Sequence, residues 1–338
     1  MRLLGFSFLA VCVLWTTACT HKELCEYHNE HAHRYHVDIK ADYRLIWEEL
    51  NDFAWQENLP AGYLPYQSFK PEKPEGLRAV VYSKDGASNT HNLPADGGVT
   101  TLYEGENNIL FYNNNTEYIV FSQHDNGATT RATTRTRTRS TYLGNTYGNP
   151  QTEETVTPPD MLFANYITDY RAVKTEKPVT LEVTLHPLVF TYKIRYEFES
   201  GLEYVSLARG ALSGMARSVL MNTGTTTDEV ATLLYDCELT PWGARTIVKS
   251  FGVPNYPNPN YATRSENKHA LNLELMLKNG KMIVREFDVT EQVKNQPHGG
   301  VIVVKGITVA KEEGMQGSGA FDVVVNGWGE YEDIPLPL

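Results

Sequence analysis

The stretch VTLEVTLHPLVFTYKIRYEF, residues 179–198, decides the fold class of this chain. Apolar and polar side chains alternate on both sides of Pro187, which is the period of a strand with one buried and one solvated face. The apolar positions are Val179, Leu181, Val183, Leu185, Phe190, Tyr192, Ile194, Tyr196 and Phe198. The stretch therefore predicts two half-buried antiparallel strands.

Further strands are predicted on both sides of this stretch. Leucine alternates with polar residues over residues 271–277, and Asn279-Gly280 then predicts a hairpin turn, because both residues tolerate a positive φ. Shorter β-like runs occupy residues 80–82, 99–103, 109–112, 119–121, 281–287, 301–304 and 321–325. Helix signals are few, and the best short candidates are residues 43–51 and residues 213–221.

These patterns predict an all-β chain made of two tandem antiparallel β-sandwich domains. The length of 338 residues fits two domains, each large enough to bury its own core. We expect a signal peptide at residues 1–18, a lipidated tether at 19–36, an N-terminal sandwich at 37–175 and a C-terminal sandwich at 176–338.

The composition argues against several functional classes. The net charge of −11 argues against general nucleic-acid binding, and the four cysteines do not form a disulfide framework. The sequence lacks a Gly-x-Ser-x-Gly elbow, a His-Glu-x-x-His motif and a phosphate loop. Asp160 and Asp288 are isolated carboxylates, and Asp288-Val289-Thr290 is more simply a turn or cap. We therefore expect no enzyme and no cofactor.

The N-terminus carries a targeting signal. Arg2 precedes an apolar run over residues 3–15, and the small residues of Thr16-Thr17-Ala18 lead to Cys19. The run is too short for a membrane span, which needs roughly 20 apolar residues. Because a cysteine after a small residue resembles a bacterial lipobox, we expect acylation of Cys19, for example with palmitate, and tethering to the outer membrane. A plain signal peptide cleaved nearby is the alternative.

A histidine-rich segment follows the proposed lipidation site. It holds Cys25, His28, His31, His33 and His36, which are residue types that bind zinc or copper. The sequence offers no second ligand pair with structural-zinc spacing. We therefore expect a solvated tether and no metal.

Residues 129–141 form an unusual arginine and threonine run. Arg131, Arg135, Arg137 and Arg139 occupy odd positions, so in one continuous strand they would all face one way. Such a stripe would suit an anionic glycan or a partner subunit. The alternatives are a loop open to Arg-specific proteases and a solvated edge strand whose charges block further pairing.

Short motifs in both halves, taken in their order and spacing, carry a family resemblance. They are Glu23-Leu24-Cys25, Pro74-Glu75-Gly76, Val80-Val81-Tyr82, Asn113-Asn114-Asn115-Thr116-Glu117, Pro158-Pro159-Asp160-Met161-Leu162-Phe163, Leu212-Ser213-Gly214-Met215-Ala216, Phe251-Gly252, Phe287-Asp288-Val289-Thr290 and Gly319-Ala320-Phe321-Asp322-Val323 with Trp328. In these motifs the chain resembles the lipid-anchored, fimbrillin-like proteins of Bacteroides-type bacteria, of the FimB-like fimbrial-anchor type.

The resemblance implies two transthyretin-like β-sandwich domains and a lipid on the first cysteine of the mature chain. It also implies fimbrial subunits and the outer membrane as partners, because family members hold the base of a fimbrium on that membrane. The chain ends at Leu338 soon after a predicted strand, which we expect of an anchor or terminal subunit. Lys22-Glu23 resembles a surface-export signal, so we expect display on the cell surface.

Two functions from different classes remain open. The first is a lipid-anchored structural protein, a fimbrial anchor or accessory subunit that binds a partner by strand addition, since an open sandwich edge templates an added strand. The alternative is a surface glycan-binding lipoprotein without catalysis. Trp47, Trp55, Trp242 and Trp328 are its candidate stacking platforms, although such residues more often lie in a core. Exposure of Trp55 or Trp242 would favour this alternative.

Overall fold

The computed structural model describes residues 34–44, 71–138, 153–258, 268–315, 328 and 331–334. Strands make up 62% of the structure and helices 5%, which confirms the predicted all-β class. Cys19, Arg139 and the histidine-rich segment before Arg34 lie outside the described residues, as do the predicted strand at 321–325 and most of the candidate helix at 43–51.

The described part of the chain contains 20 strands. The first half holds β1 (Arg34–Tyr43), β2 (Gly76–Ser83), β3 (Ser88–Pro94), β4 (Gly97–Tyr103), β5 (Gly105–Asn113), β6 (Ile119–Ser122), β7 (Arg131–Thr134), β8 (Thr136–Thr138), β9 (Glu154–Val156), β10 (Phe163–Ala172) and β11 (Val179–Pro187). The second half holds β12 (Phe190–Ser200), β13 (Val205–Ala216), β14 (Ser218–Leu220), β15 (Val230–Thr240), β16 (Gly243–Ser250), β17 (Ala270–Leu277), β18 (Met282–Asp288), β19 (Gly300–Thr308) and β20 (Glu332–Ile334). Two short helices, α1 (Thr290–Lys294) and α2 (Lys311–Met315), flank β19, and a 3₁₀ turn spans Leu202–Tyr204.

The first sheet has seven strands in the order β3-β2-β5-β10-β11-β1-β4. Strands β10 and β11 are joined by only two residue pairs, Phe163 with Pro187 and Ala164 with His186. The sheet bends at this narrow joint, so that side chains of β1, β4 and β11 pack against those of β2 and β5 in one core. The burial of these alternating apolar residues is what the period of two in the sequence predicts.

The second sheet follows the path β18-β17-β13-β15-β16-β12-β19. Strand β15 bends within it, because its first part pairs with β13 and only Glu238, Leu239 and Thr240 pair with β16. The core between the two parts contains fully buried side chains from both, including Tyr192, Tyr196, Leu271, Leu273 and Leu275.

Three strands of the first half pair with strands of the second half. Strand β7 pairs with β14, strand β9 runs parallel to β15, and β8 pairs with both β9 and β20. A third core, which includes Tyr82, Tyr112, Val189, Met221 and Phe251, packs residues of the two halves together. Strands from the predicted N-terminal domain are therefore built into sheets of the second half.

The predicted domain boundary differs from the change of sheet. Strand β11 lies after residue 175, yet it pairs in parallel with β1 and belongs to the first sheet. The chain changes sheet between Pro187 and Phe190, where Leu188 and Val189 enter the third core. The division at residue 175 falls within the first sheet, and the count of two separate sandwiches stays a prediction.

The prediction of a helix over residues 213–221 is wrong, because β13 and β14 cover this segment. Strand β13 lies between β15 and β17, and its pairing with β15 shifts register between Leu212 and Met215. Gly214 has a φ of 78° there, which is unsuited to a helix, and a Cβ on it would lie 2.2 Å from the carbonyl oxygen of Lys268. Pairing on both sides of β13 overrides the local helix signal.

The predicted hairpin between β17 and β18 is present with a different turn. The amide of Leu277 donates to the carbonyl of Lys281 (2.8 Å), and the amide of Gly280 donates to the carbonyl of Leu277 (2.9 Å). Gly280 has a positive φ of 80°, whereas Asn279 does not have a positive φ. This is the three-residue loop with a left-handed glycine rather than the two-residue turn that Asn-Gly predicted.

The polar face of β12 is buried, although its alternation predicted a solvated face. Lys193 and Arg195 are only 2% and 6% exposed. The guanidinium carbon of Arg195 lies 3.7 Å from the ring centroid of Trp242, and its Nε lies 2.7 Å from Glu197. Burial, followed by the charges of Arg245 and Arg195, lowers the pKa of Lys193 to about 8. Trp242, which covers Arg195, is distant in sequence, so the alternation within β12 could not predict this burial.

Candidate functional site

One outer edge of the second sheet is closed by side chains. Strand β19 pairs with β12 on one side, and α1 lies beside its other side. The Gln296 amide donates to the carbonyl of Val301 (3.0 Å) and accepts from the Val301 amide (2.7 Å). Gln292 makes the same pair of bonds with Val303, at 3.1 and 2.9 Å. Because each glutamine occupies both groups of one residue, the two side chains replace a neighbouring strand along this edge.

Local sequence explains how these glutamines reach the strand. The carboxylate of Asp288 accepts from the Thr290 amide (2.9 Å), which is the local turn of the predicted turn or cap, and helix α1 follows. Gln292 lies in α1, and Gln296 follows shortly after the helix ends at Lys294. The side-chain amide of Gln296 donates to the carbonyl of Gln292 (3.0 Å), which holds the two glutamines side by side along β19. Gly300 leaves the space they need, because a Cβ there would lie 1.9 Å from the side-chain oxygen of Gln296.

The opposite edge of the same sheet is different. Strand β18 pairs with β17 on one side, and no described strand pairs with its other side. The bonded pair of Leu277 and Lys281 sets the alternation of the hairpin, so that the backbone of Met282 and Val284 points away from β17. Val284 is 48% exposed. This edge therefore presents backbone donors and acceptors beside an exposed apolar side chain.

The side chain of Arg285 covers part of the β18 edge. The Arg285 guanidinium donates to the carbonyl of Val284 (3.2 Å) and contacts both oxygens of Glu313, at 3.1 and 3.2 Å. The Ala310 amide and then Arg285 hold the pKa of the Glu313 carboxyl below its usual range. A strand arriving at this edge would replace one side-chain bond at Val284 with backbone bonds.

The described members of the arginine run have separate surroundings. Strand β7 ends before Arg135 and β8 begins after it, so the described part of the run is not one continuous strand, and the rule that would put all its arginines on one face does not apply. Arg135 lies 6.0 Å from the ring centroid of Tyr118. Arg137 pairs with Asp333 (2.7 Å) and lies 4.5 Å from the ring centroid of Tyr331. The role of these arginines as ligand or partner contacts stays a prediction.

Arg137 holds the C-terminal strand β20 against β8. Its guanidinium contacts both oxygens of Asp333, and the Thr157 hydroxyl donates to the same carboxylate (3.1 Å). The bond from Arg137 is the main reason why the pKa of Asp333 lies below its usual range. The hydroxyl of Tyr331 also donates to Asp236 on β15 (2.7 Å), so several contacts fix this end of the chain.

Arg131 lines a groove of about 490 Å³ beside β7 and β14. Its polar lining consists of two arginines, two glutamates and two hydroxyl residues: Arg131, Arg217, Glu154, Glu229, Thr133 and Ser218. No sequence signal identified Arg217, although its side chain makes more contacts than that of Arg131. Its Nε lies 2.8 Å from Glu154, and its Nη1 donates to the carbonyl of Thr134 (2.8 Å) and to the hydroxyl of Thr133.

The tryptophans give little support to a stacking platform for sugars. Trp242 is half-buried against Arg195, and Trp328 lies over Arg209, with 3.9 Å between its ring centroid and the guanidinium carbon. Trp47 and Trp55 lie outside the described residues. In the same described ranges, no three His, Cys, Asp or Glu residues form a potential metal site. No helix of the described chain has the length and apolar content to cross a membrane.

Comparisons with known proteins found a family model and a relative that match this chain. A family model described as "Domain of unknown function (DUF5119)" matches residues 66–236. The "Putative fimbrium anchoring subunit Fim4B" of Bacteroides ovatus is 24% identical over 366 aligned residues, which cover 99% of this chain and 98% of that protein. These findings confirm the resemblance to fimbrial-anchor proteins.

One solved structure shows a similar fold. A "putative adhesin" from Bacteroides ovatus has a TM-score of 0.56 and 21% identity, and the match covers 82% of this chain and 92% of that one. The fimbrial anchor protein Mfa2 from Porphyromonas gingivalis has a TM-score of 0.41 and 12% identity, with 80% and 91% covered.

Proposed function

We propose that this chain, which belongs to the family described as Domain of unknown function (DUF5119), is a fimbrium-associated protein of the cell surface. Its role is that of an anchor or accessory subunit. The observation that carries this proposal is the similarity to a "Putative fimbrium anchoring subunit" along 99% of the chain. The proposal assigns no catalytic step, since the relatives are described as an anchoring subunit and an adhesin.

Strand addition at β18 is the proposed way of binding the fimbrial partner. An unpaired edge gives affinity to an added strand through backbone hydrogen bonds, and pockets for alternate side chains give specificity. The outward backbone of Met282 and Val284, with the exposed side chain of Val284, supports this choice. The partner segment should be extended, with an apolar residue placed to cover Val284.

The closed edge at β19 supports the choice of β18 within the second sheet. Both backbone groups of Val301 and of Val303 are already bonded by the side chains of Gln296 and Gln292. An incoming strand would have to displace four hydrogen bonds there, compared with the single Arg285 bond at Val284. The second sheet thus offers unequal edges.

Lipid attachment at Cys19 is the proposed link to the outer membrane. The supporting observation is the sequence alone: a charged start, a short apolar run and a small-residue approach to the cysteine. A single acyl chain binds a membrane only marginally, whereas two or more anchor a protein stably. A fully acylated Cys19 would therefore be sufficient to hold a fibre at the surface.

A photo-crosslinking experiment in the native envelope tests the proposal. A photoreactive amino acid replaces Val284 on the open edge or Val301 on the closed edge, in the full-length protein. We expect a crosslink from position 284 to a fimbrial subunit, identified by mass spectrometry, and none from position 301. Equal crosslinking from the two positions would refute the choice of edge. Absence of fimbrial subunits at both positions, and from a pull-down of the whole protein, would refute the fimbrial role.

A further inference from the structure

We infer that the groove beside β7 and β14 binds an acidic sugar residue, with Arg131 as the contact for its carboxylate. This inference goes beyond the proposed structural role, because it gives the chain a ligand site of its own. It rests on the two arginines, the two glutamates and the two hydroxyl residues that line the groove. A volume of about 490 Å³ lies within the range of roughly 300–1,000 Å³ that small-molecule sites occupy.

The first argument is that Arg131 has unused hydrogen-bonding capacity. Its Nη1 lies 4.0 Å from the nearest Glu229 oxygen, beyond hydrogen-bond distance. Its Nε is buried and has no partner among the described residues. A guanidinium carries five N–H donors in a planar fork that matches a carboxylate. The side chain is 34% exposed, so a ligand in the groove can reach it.

The second argument is that Arg217 is rigidly placed beside it. Glu154, Thr133 and the carbonyl of Thr134 hold its Nε and Nη1. The hydroxyl of Thr133 in turn donates to the Arg217 carbonyl (3.0 Å), which fixes the strand pair beneath the groove. The residue is only 9% exposed, so its position is set before any ligand binds. A preformed positive charge lowers the ordering cost of binding an anion.

The third argument concerns the kind of anion. The side chains of Glu154 and Glu229 are 56% and 62% exposed at the same groove. Two carboxylates repel a dianion such as phosphate, yet they accept hydrogen bonds from hydroxyl groups. A ligand with one carboxylate and several hydroxyls satisfies both pairs of charged residues. That combination describes a hexuronic acid or a sialic acid.

The remaining arginines of the run are not part of this site. Arg135 lies over Tyr118, and Arg137 is engaged by Asp333 and Tyr331. Neither of them lines the groove. Arg135 therefore provides a matched control, because it lies in the same run and has the same charge.

Calorimetry with the mature chain tests the inference. The probes are glucuronate, N-acetylneuraminate, neutral glucose and inorganic sulfate. We expect one or both sugar acids to bind, and glucose and sulfate to bind at least 10-fold more weakly. Preference for glucuronate would identify uronate polysaccharides as the source, and preference for N-acetylneuraminate would identify sialylated glycans. Equal binding of glucose, tighter binding of sulfate, or no binding of either acid would overturn the inference.

Three variants locate the site. Arg131→Gln should weaken binding of the sugar acid at least 10-fold, while Arg135→Gln changes it less than twofold. Glu229→Gln should instead strengthen binding of inorganic sulfate several-fold, because it removes a carboxylate that repels the dianion. A gain of affinity cannot result from misfolding, so this variant keeps the test decisive. Unchanged affinity in Arg131→Gln would exclude the groove, whatever the outcome of the crosslinking at β18.

Discussion

The side-chain amide of Gln296 forms with Val301 the two hydrogen bonds that the backbone of an adjacent strand would form, at 3.0 and 2.7 Å. Its neighbour Gln292 repeats the arrangement two residues further along β19. An exposed sheet edge is a template for association, and proteins usually protect it with charges, bulges or covering elements. Here two glutamine side chains, one in α1 and one just after it, protect the edge by forming the hydrogen bonds that a neighbouring strand would form.

Removing the two amides should expose this edge. We expect the double variant Gln292→Ala and Gln296→Ala to self-associate, because the backbone groups of Val301 and Val303 lose their partners. Stability should also fall, because four hydrogen bonds, each worth roughly 0.5–1.5 kcal/mol, are lost. Sedimentation velocity measures the association. Glu291→Ala, on the exposed face of the same helix, serves as the control and should stay monomeric. A monomeric double variant would show that the glutamines do not protect the edge.

Gly300→Ala should also expose the β19 edge, because Gly300 faces the side chain of Gln296. A Cβ at this position would lie 1.9 Å from the Gln296 side-chain oxygen, so the amide must move and release Val301. We expect association similar to that of Gln296→Ala alone. Combined with Gln296→Ala, the alanine at 300 should add little, because the two changes break the same bonds. Additive effects in sedimentation would contradict this explanation.

Gly214→Ala should destabilise the chain strongly. Its φ of 78° disfavours any side chain, and the new Cβ would lie 2.2 Å from the carbonyl oxygen of Lys268. Gly86 has a similar φ of 83° with open space around it, so Gly86→Ala isolates the cost of the backbone conformation, about 1–2 kcal/mol. Thermal unfolding should show a clearly larger loss for Gly214→Ala. Equal losses would mean that β17 tolerates the contact.

Lys193 makes stability depend on pH in the alkaline range. Its pKa is about 8 in the folded chain and about 10.4 in an unfolded one. Between these values the unfolded state binds more protons, so this lysine makes stability rise with pH. Lys193→Met should be more stable than the parent at pH 7, by an amount on the order of 1–3 kcal/mol. The advantage should shrink between pH 8 and pH 10.

Denaturant unfolding across this pH range measures the effect. Lys305→Met, at an exposed position of β19, is the matched control and should show no such trend. A constant difference between Lys193→Met and the parent at every pH would mean that packing, rather than protonation, dominates at this site.

Cys19→Ala tests the proposed membrane link. Without acylation the chain should leave the membrane fraction and enter the periplasm or the medium, because no other anchor is proposed. Fractionation followed by immunoblotting measures the distribution. Cys12→Ala, within the predicted signal, is the control and should remain with the membrane. Membrane retention of the Cys19 variant would exclude the lipid anchor.

Strand positions could be predicted from sequence where burial differs between the two faces. Val183 and Leu185 in β11 are buried, and Glu182 and Thr184, which alternate with them, are exposed, as the sequence predicted. The same logic failed for Lys193 and Arg195, because the cover over their face comes from a distant residue, Trp242. Periodicity reports a strand's own faces and not what later packs on them.

The candidate sites were less accessible to prediction. The odd spacing of Arg131, Arg135 and Arg137 predicts one face only for an unbroken strand, and the break at Arg135 cancels that rule. Arg217 and Glu229 join Arg131 across long separations in sequence, so no local motif could identify the groove. Gln292 and Gln296 carry a readable helical spacing, yet their target on β19 depends on tertiary structure.

The pairing of first-half strands with second-half strands has a mechanical consequence. Strands β7, β8 and β9 come from the first half of the sequence, but they pair with β14, β20 and β15 of the second. A tensile force applied to opposite ends of the chain cannot pull the halves apart at a linker, because the pairing itself joins them. Extension would have to rupture backbone ladders and the shared core together. The molecule should therefore unfold in a single event when it is pulled, whereas two independent domains joined by a linker would unfold in two events.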